Sequence, residues 1–155
     1  MTDDGRADAP DTPGAAEARA AAERAVAAML AADAASSALG IEVSDIGPGR
    51  AVARMRVTGR MINGHGVCHG GYVFLLADTA FAAACNSHGV TAVAATADIT
   101  FVAAARHGDV LTAAAAERVR YGRSGIYDVT VTRPGGGVVA EFRGGSRALP
   151  NGLGG

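Results

Sequence analysis

One segment of this chain has to be buried on almost every side. From Tyr72 to about His88 the residues are nearly all apolar, and they lack the alternation that is typical of a strand. Within residues 61–97, Asp78 is the only Asp, Glu, Lys or Arg. This length and pattern predict a long helix that the rest of the chain must enclose, with Gly89 as its C-terminal cap.

Six strand-like runs are available to enclose that helix. Two of them precede it and alternate apolar with polar residues across a Gly47-Pro48-Gly49 turn, which predicts an antiparallel hairpin. Four more follow the helix, at about residues 91–102, 109–120, 125–132 and 138–146. The order of elements predicts an α+β fold in which one antiparallel sheet wraps around a long buried central helix.

The two ends of the chain differ in composition from this folded region. Residues 1–14 are rich in Asp, Gly, Pro and Thr, and we expect them to be a disordered tail. Residues 15–37 are almost all Ala, Glu and Arg, which predicts a helix. The folded domain is therefore expected over residues 15–149, followed by a flexible tail at 150–155.

Charge and cysteine usage exclude several classes of partner. The net charge of −1 gives no indication of nucleic acid binding. The apolar run at residues 70–85 is too short for a typical membrane span and contains Asp78. An acidic N-terminus without an apolar leader, together with only two cysteines, predicts a cytoplasmic protein with no membrane partner.

Asp78 is the first candidate for chemistry. A buried carboxylate without a counter-charge is costly, so such a residue usually has either a structural partner or a function. The structural alternative is an Asp that caps a neighbouring loop. The second candidate is His69-Gly70-Gly71, which stands where the helix should begin. Amides at a helix N-terminus stabilise developing negative charge, as an oxyanion hole must, although a Gly-Gly pair alone is also a common tight turn.

The spacing of these candidates suggests how they meet. Gly70 and Asp78 are eight residues apart, or about 12 Å along a helix. One reacting carbonyl cannot contact both groups on the same helix. It can do so if the helix of a second subunit runs antiparallel beside the first, which would form two active sites around one two-fold axis.

The same residues resemble a known signature. Residues 63–87 are similar to the motif of the PaaI family, the phenylacetic-acid-degradation thioesterases. The resemblance continues through residues 98–101, 125–129 and 142–144, and it covers roughly residues 35–147. It implies a hotdog fold, a homotetramer built as a dimer of dimers with active sites at the dimer interface, and hydrolysis of aryl- or arylacetyl-CoA thioesters. Phenylacetyl-CoA and hydroxyphenylacetyl-CoA are the leading substrates.

The resemblance also implies a role for each residue of the motif. Asp78 would act as nucleophile or as general base for water, and the Gly70 amide would polarise the thioester carbonyl. Asn63, His69, Gly71 and Thr79 would line or support the substrate site. Coenzyme A is then part of the substrate, and no separate cofactor is expected. The candidates for contacts with the phosphates of coenzyme A are Arg123, Ser124, Arg143 and Gly144, although a lysine often stands in the last of these stretches.

Other chemistries are weaker on the sequence. His65, Cys68 and His69 are clustered, but a zinc site usually needs three or four well-spaced ligands, so no metal is expected. Cys68 would be the rival nucleophile, without an identifiable base. An acyl-CoA hydratase or dehydratase resembles an Asp-x4-His pattern, which no Asp in the chain satisfies. A non-catalytic acyl-CoA-binding module on the same scaffold is the remaining alternative.

Overall fold

The computed structural model describes residues 12–150. Its strands form one six-stranded antiparallel sheet in the order β1-β2-β4-β5-β6-β3. The elements are α1 (Pro13–Ala31), α2 (Ala34–Ala38), β1 (Glu42–Gly47), β2 (Arg50–Arg56), a 3-10 turn (Gly59–Met61), α3 (Gly70–Asn86), β3 (Ala92–Phe101), β4 (Val110–Tyr121), β5 (Ser124–Thr132) and β6 (Val138–Ala148). The predicted α+β class is confirmed, as is the order of two strands, a buried helix and four strands.

Helix α3 is the centre of the hydrophobic core. Its inward face includes Leu76 and Phe81, which are 0% and 1% exposed. Phe81 makes edge-on and tilted ring contacts with Tyr127 and Phe142 at centroid distances of 5.6 and 5.8 Å. Each large side chain buried in this way contributes roughly 1.5–3 kcal/mol to folding. Burial of α3 is therefore a main source of the stability of the fold.

Small residues allow the sheet to approach α3 closely. Four alanines of α3 are buried completely, and four alanines of β2 and β4 are at most 4% exposed. Where a larger side chain would intervene, the sheet uses glycine. A Cβ atom on Gly144 of β6 would lie only 2.7 Å from the Phe81 ring. The buried alanines are Ala77, Ala80, Ala83 and Ala84 on the helix and Ala51, Ala53, Ala113 and Ala115 on the strands.

The N-terminal helix differs from the prediction. A single helix over residues 15–37 is wrong, because the structure has two helices that are separated at Ala32 and Asp33. The side chain of Asp33 accepts a hydrogen bond from the backbone N–H of Ser36 at 3.0 Å. This local bond caps the start of α2, so that α1 ends and a second helix begins. The first helix begins at Pro13, so the predicted disorder up to residue 14 is wrong at its end.

Two further expectations concern the ends of the chain and membranes. The remainder of the predicted tails, residues 1–11 and 151–155, lies outside the described residues. Between residues 12 and 150, no helix combines the length and the apolar character that crossing a bilayer requires.

Gly144 provides a test of the close approach between the sheet and the helix. We expect Gly144→Ala to lower the free energy of unfolding by about 1–3 kcal/mol, because its methyl group must displace the fully buried Phe81. Urea unfolding followed by circular dichroism measures this change. Gly59→Ala is the matched control, since a Cβ atom there meets nothing within 4 Å. Equal stability of the two variants would contradict the packing argument.

Candidate active site

The N-terminus of α3 presents one backbone amide without an intramolecular acceptor. His69 is the N-cap residue, and its Nδ1 atom accepts a hydrogen bond from the N–H of Gly71 at 3.0 Å. The His69 N–H itself donates to the carbonyl of Met61 at 2.7 Å. Among residues 12–150 nothing accepts a hydrogen bond from the N–H of Gly70. This amide is therefore available to a ligand, at the end of a helix that favours negative charge.

Asn63 orders the loop that leads into this helix. Its side-chain oxygen accepts hydrogen bonds from the backbone N–H groups of His65 and Val67, at 2.9 and 3.3 Å. Its own backbone N–H donates to the carbonyl of Val67 at 2.8 Å. The structure thus gives Asn63 a role in shaping the loop, and it places His65 on the exposed side of that loop.

An apolar pocket of about 460 Å³ opens beside the Gly70 amide. Val73 and Val139 form part of its wall, and Phe101 forms another part. The Phe101 ring is 54% exposed and lies against the α-carbon of Gly70, where a Cβ atom would be 2.9 Å from the ring. A glycine is thus needed both for the close approach of this ring and for access to the amide.

Asp78 lies in the middle of α3 without a structural partner. Its side chain is half-buried, and no described residue donates a hydrogen bond to it or forms an ion pair with it. Burial, followed by the negative charge of Asp33, raises the pKa of the Asp78 carboxyl. Within residues 12–150 Asp78 therefore does not cap a loop, and the carboxylate is open to an incoming group.

Thr79 is buried, and its hydroxyl is hydrogen-bonded within the protein. Its hydroxyl donates to the carbonyl of Leu75 at 2.8 Å, and it lies 3.0 Å from the hydroxyl of Ser36. Both hydroxyls are buried, at 5% and 4% exposure. Ser36 and Asp33 were not among the site residues predicted from the sequence. The signal that would have found them is the pair Asp33 and Ser36, whose three-residue spacing is typical of a new helix N-terminus.

The candidates for contacts with the phosphates of coenzyme A lie in three different environments in the structure. Arg123 and Ser124 line a second pocket, of about 260 Å³, together with Arg120. Arg143 instead forms a two-bond ion pair with Asp128, at 2.6 and 3.0 Å. These bonds lower the pKa of the Asp128 carboxyl. Gly144 is buried in the core, against a phenylalanine ring.

A polar cluster holds the other end of α3. His88 Nε2 lies 2.6 Å from a carboxylate oxygen of Glu117, and the Tyr127 hydroxyl donates to the same oxygen at 2.9 Å. Burial raises the pKa of Glu117, but the hydrogen bonds from His88 and Tyr127 outweigh it and hold the pKa below its ordinary value. This cluster could not be predicted from a local sequence pattern, because its members are brought together only by the sheet.

The cysteines are poorly suited to nucleophilic chemistry. Cys68 and Cys85 are both buried and unpaired with each other. Burial raises the pKa of Cys68, and it raises the pKa of Cys85 to about 12. A thiol needs a lowered pKa to act as a nucleophile near neutral pH. Within the described region, no group of three or more His, Cys, Asp or Glu side chains is arranged to hold a metal ion.

Comparisons with known proteins place this geometry in a family. Residues 65–140 match the thioesterase superfamily. The chain is 46% identical over 122 residues to acyl-coenzyme A thioesterase PaaI of Escherichia coli, covering 79% of this chain and 87% of that protein. The structure of E. coli PaaI superposes with a TM-score of 0.84 at 43% identity, covering 85% of this chain and 96% of the other. A hypothetical thioesterase of Streptococcus pneumoniae with coenzyme A superposes with a TM-score of 0.70 at 26% identity, covering 74% and 91%.

The sheet around α3, together with these similarities, defines a thioesterase with the hotdog fold. The chain belongs, more narrowly, to the PaaI family of acyl-CoA thioesterases. The predictions of the fold, the family and the enzyme class are therefore confirmed.

The unpaired state of Asp78 has a consequence for stability. Because its pKa is raised in the folded protein, the folded state binds more protons than the unfolded state in the window just above the ordinary value of 3.8. The free energy of unfolding therefore falls as pH rises through this window, and it stays lowered at neutral pH. We expect Asp78→Asn to be more stable than the wild type at pH 7, since an amide carries no charge to desolvate.

Thermal melts at several pH values measure this difference. The gap between Asp78→Asn and the wild type should close as the pH falls toward 3.8. Asp45→Asn, at an exposed carboxylate of β1, is the control for the change from carboxylate to amide itself. An Asp78→Asn protein that is less stable than the wild type at pH 7 would mean that the carboxylate has a stabilising partner after all.

Proposed function

We propose that this thioesterase hydrolyses arylacetyl-CoA thioesters, with phenylacetyl-CoA or a hydroxylated form as substrate. The observation that carries the proposal is the pair of unsatisfied groups on α3. The Gly70 amide has no acceptor and the Asp78 carboxylate has no donor among residues 12–150, and the two groups have opposite electrostatic character. A thioester carbonyl needs a donor at its oxygen and an attacking group at its carbon.

The proposed reaction uses these two groups at one carbonyl. The carbonyl oxygen accepts a hydrogen bond from Gly70 N–H, which stabilises the charge that develops on it. Asp78 then either attacks the carbon to form a mixed anhydride, which water hydrolyses, or removes a proton from the water that attacks. In both routes the carbon–sulfur bond breaks, coenzyme A leaves as a thiolate, and the acid is released. Both routes require Asp78 to be ionised.

The two groups meet at one carbonyl only if two subunits share the site. Gly70 and Asp78 are separated by two turns of the same helix, or about 12 Å. Asp78 is flanked on its open face by Phe74, Leu75 and Ala82, which are half-buried in one subunit. An apolar helix face with an unpaired carboxylate supports pairing of two α3 helices in antiparallel orientation.

The edge of the sheet supports the same pairing. β3 is an edge strand, and its residues 94–98 are all exposed. An uncovered edge strand of this length presents backbone groups that a second copy of β3 can satisfy. We propose a dimer of this kind as the catalytic unit, and a dimer of dimers as the complete assembly.

The pockets support the two parts of the substrate separately. The apolar pocket of about 460 Å³ beside Gly70 suits an uncharged acyl group with an aromatic ring. The pocket lined by Arg120, Arg123 and Ser124 suits a phosphate group of coenzyme A. Arg143 is less suited to that contact, because Asp128 already occupies its guanidinium group.

Hydrolysis of phenylacetyl-CoA is the direct test of Asp78. We expect Asp78→Asn to lower kcat by roughly 100-fold or more, the range expected for loss of a general base, with measurable substrate binding retained. Thiol release detected with a chromogenic disulfide gives the rate. Asp45→Asn is the control and should keep the rate of the wild type, because Asp45 is an exposed residue of β1.

Three other outcomes would contradict the proposal in different ways. An active Asp78→Asn variant would exclude the carboxylate as the catalytic group. Tight binding of CoA esters without hydrolysis would favour a binding module. Hydration of an unsaturated acyl-CoA ester without thiol release would favour a hydratase. Among the described residues, however, no side chain bonds to Asp78 and could act with it as the acid of such a reaction.

Mixing two inactive variants tests the shared site. Gly70→Pro removes the amide proton at the first helical position, where the backbone accepts proline and the preceding His69 has the extended ψ of 132° that proline requires. Its Cβ atom must displace the exposed Phe101 ring, and Gly70→Ala, which adds the same Cβ atom and keeps the amide, is the control for that displacement. Heterodimers with Asp78→Asn would contain one site with both intact groups. Random reassociation should therefore restore about a quarter of the wild-type activity. If the mixture stays inactive although subunits exchange, then Gly70 of one subunit and Asp78 of the other do not form one active site.

A further inference from the structure

The junction between α1 and α2 contacts the catalytic turn of α3 from outside the matched superfamily region. Ser36 and Asp33 both precede residue 65, where the superfamily match begins. Ser36 Oγ lies 3.0 Å from Oγ1 of Thr79, the residue that follows Asp78. Asp33 is the acidic group whose charge acts on Asp78. One short segment thus supplies a hydroxyl that contacts Thr79 and a carboxylate whose negative charge acts on Asp78.

The direction of the bond between the two hydroxyls can be deduced. Thr79 has one hydroxyl proton, and it donates that proton to the carbonyl of Leu75 at 2.8 Å. Ser36 must therefore donate to Thr79. Both side chains are about 95% buried, so removal of the Ser36 hydroxyl leaves Thr79 with an acceptor that water does not reach. The bond consequently ties this turn of α3 to α2.

Asp33 places Ser36 and also carries a charge. One of its carboxylate oxygens accepts the Ser36 N–H at 3.0 Å and so begins α2 at the position from which Ser36 reaches Thr79. The negative charge of the same side chain makes ionisation of Asp78 less favourable. A more basic carboxylate is a better proton acceptor and a better nucleophile once it is ionised.

Few other titratable groups face Asp78. Cys85 is two turns further along α3, and burial raises its pKa to about 12, so its thiol is neutral. The inward-facing residues of the strands against α3 are apolar except at its far end, where Glu117 and Tyr127 bond to each other and to His88. In the described part of the chain, Asp33 is the only charged group that acts on the Asp78 carboxyl.

We propose that the α1–α2 junction is a positioning element of the active site, in which Ser36 orients the Asp78–Thr79 turn and Asp33 holds a second carboxylate near this turn, to which Ser36 connects it. This inference rests on the proposed function of Asp78. It assigns a role in the reaction to a helical segment that the sequence analysis treated as an ordinary N-terminal helix.

Asp33→Asn isolates the charge, because Asn is as good an N-cap as Asp and keeps the acceptor for Ser36. We expect the acid limb of kcat/KM against pH to move to lower pH in this variant. Titration of the Asp78 carboxyl by carbon-13 NMR of protein labelled at aspartate should show its pKa falling in the same direction. Asp45→Asn, on the exposed part of β1, should move neither quantity.

Ser36→Ala tests the hydrogen bond. We expect kcat to fall about 10-fold with KM changed by less than about twofold, because the substrate still binds while the catalytic turn is misplaced. Ser36→Thr keeps a hydroxyl and should recover most of the rate. Ser37→Ala is the matched control, since Ser37 is exposed and its hydroxyl makes no hydrogen bond among the described residues.

The results distinguish failure of this inference from failure of the proposed function. The inference is overturned if the wild type is active and Asp78→Asn is not, yet Asp33→Asn leaves the pH profile and the NMR titration unchanged. The role of Ser36 in the reaction is likewise overturned if Ser36→Ala lowers the melting temperature but leaves kcat unchanged. If the wild type hydrolyses no CoA ester, the proposed function fails, and the NMR titration still decides whether Asp33 acts on Asp78.

Discussion

The enclosure of one apolar helix by one sheet is the constraint on which the rest of this structure depends. Because alanines and a glycine line both sides of the contact, the backbones of α3 and the strands come close together. Hydrogen bonds also hold both ends of the helix. The His69 cap holds its N-terminus, and the bonds among His88, Glu117 and Tyr127 hold the region of its C-terminus. A rigid helix can present an amide and a carboxylate at a defined separation, as a shared active site requires.

The same burial that stabilises the fold makes the ionised form of the Asp78 side chain energetically unfavourable. A carboxylate with no partner is retained at a position where a neutral side chain would stabilise the protein. Stability given up at one residue in this way is common at active sites, where groups must stay unsatisfied until the substrate binds. The half-buried apolar residues around Asp78 belong to the same compromise, because the proposed dimer would cover them.

Much of this could be predicted from the sequence because the signals were local. The apolar run with a single charge identified α3 and Asp78, and alternation together with turn signals identified the strands. The break at Asp33 was missed because alanine-rich sequence favours helix on both sides and a single capping bond decides the boundary. The contact of Ser36 with Thr79, and the pairing of Arg143 with Asp128, depend on sheet register and helix packing across long separations in sequence. No local pattern encodes them.

The contact between Gly70 and Phe101 couples the size of the apolar pocket to the access of water to the Gly70 amide. The ring lies directly on the glycine whose amide is unsatisfied, and it also forms a wall of the apolar pocket. A smaller residue at position 101 would widen the pocket and at the same time admit water to the amide. In the proposed active site, a change of preferred acyl group made through this wall also changes the polarity around the reacting carbonyl, so selectivity and rate are expected to vary together among related enzymes.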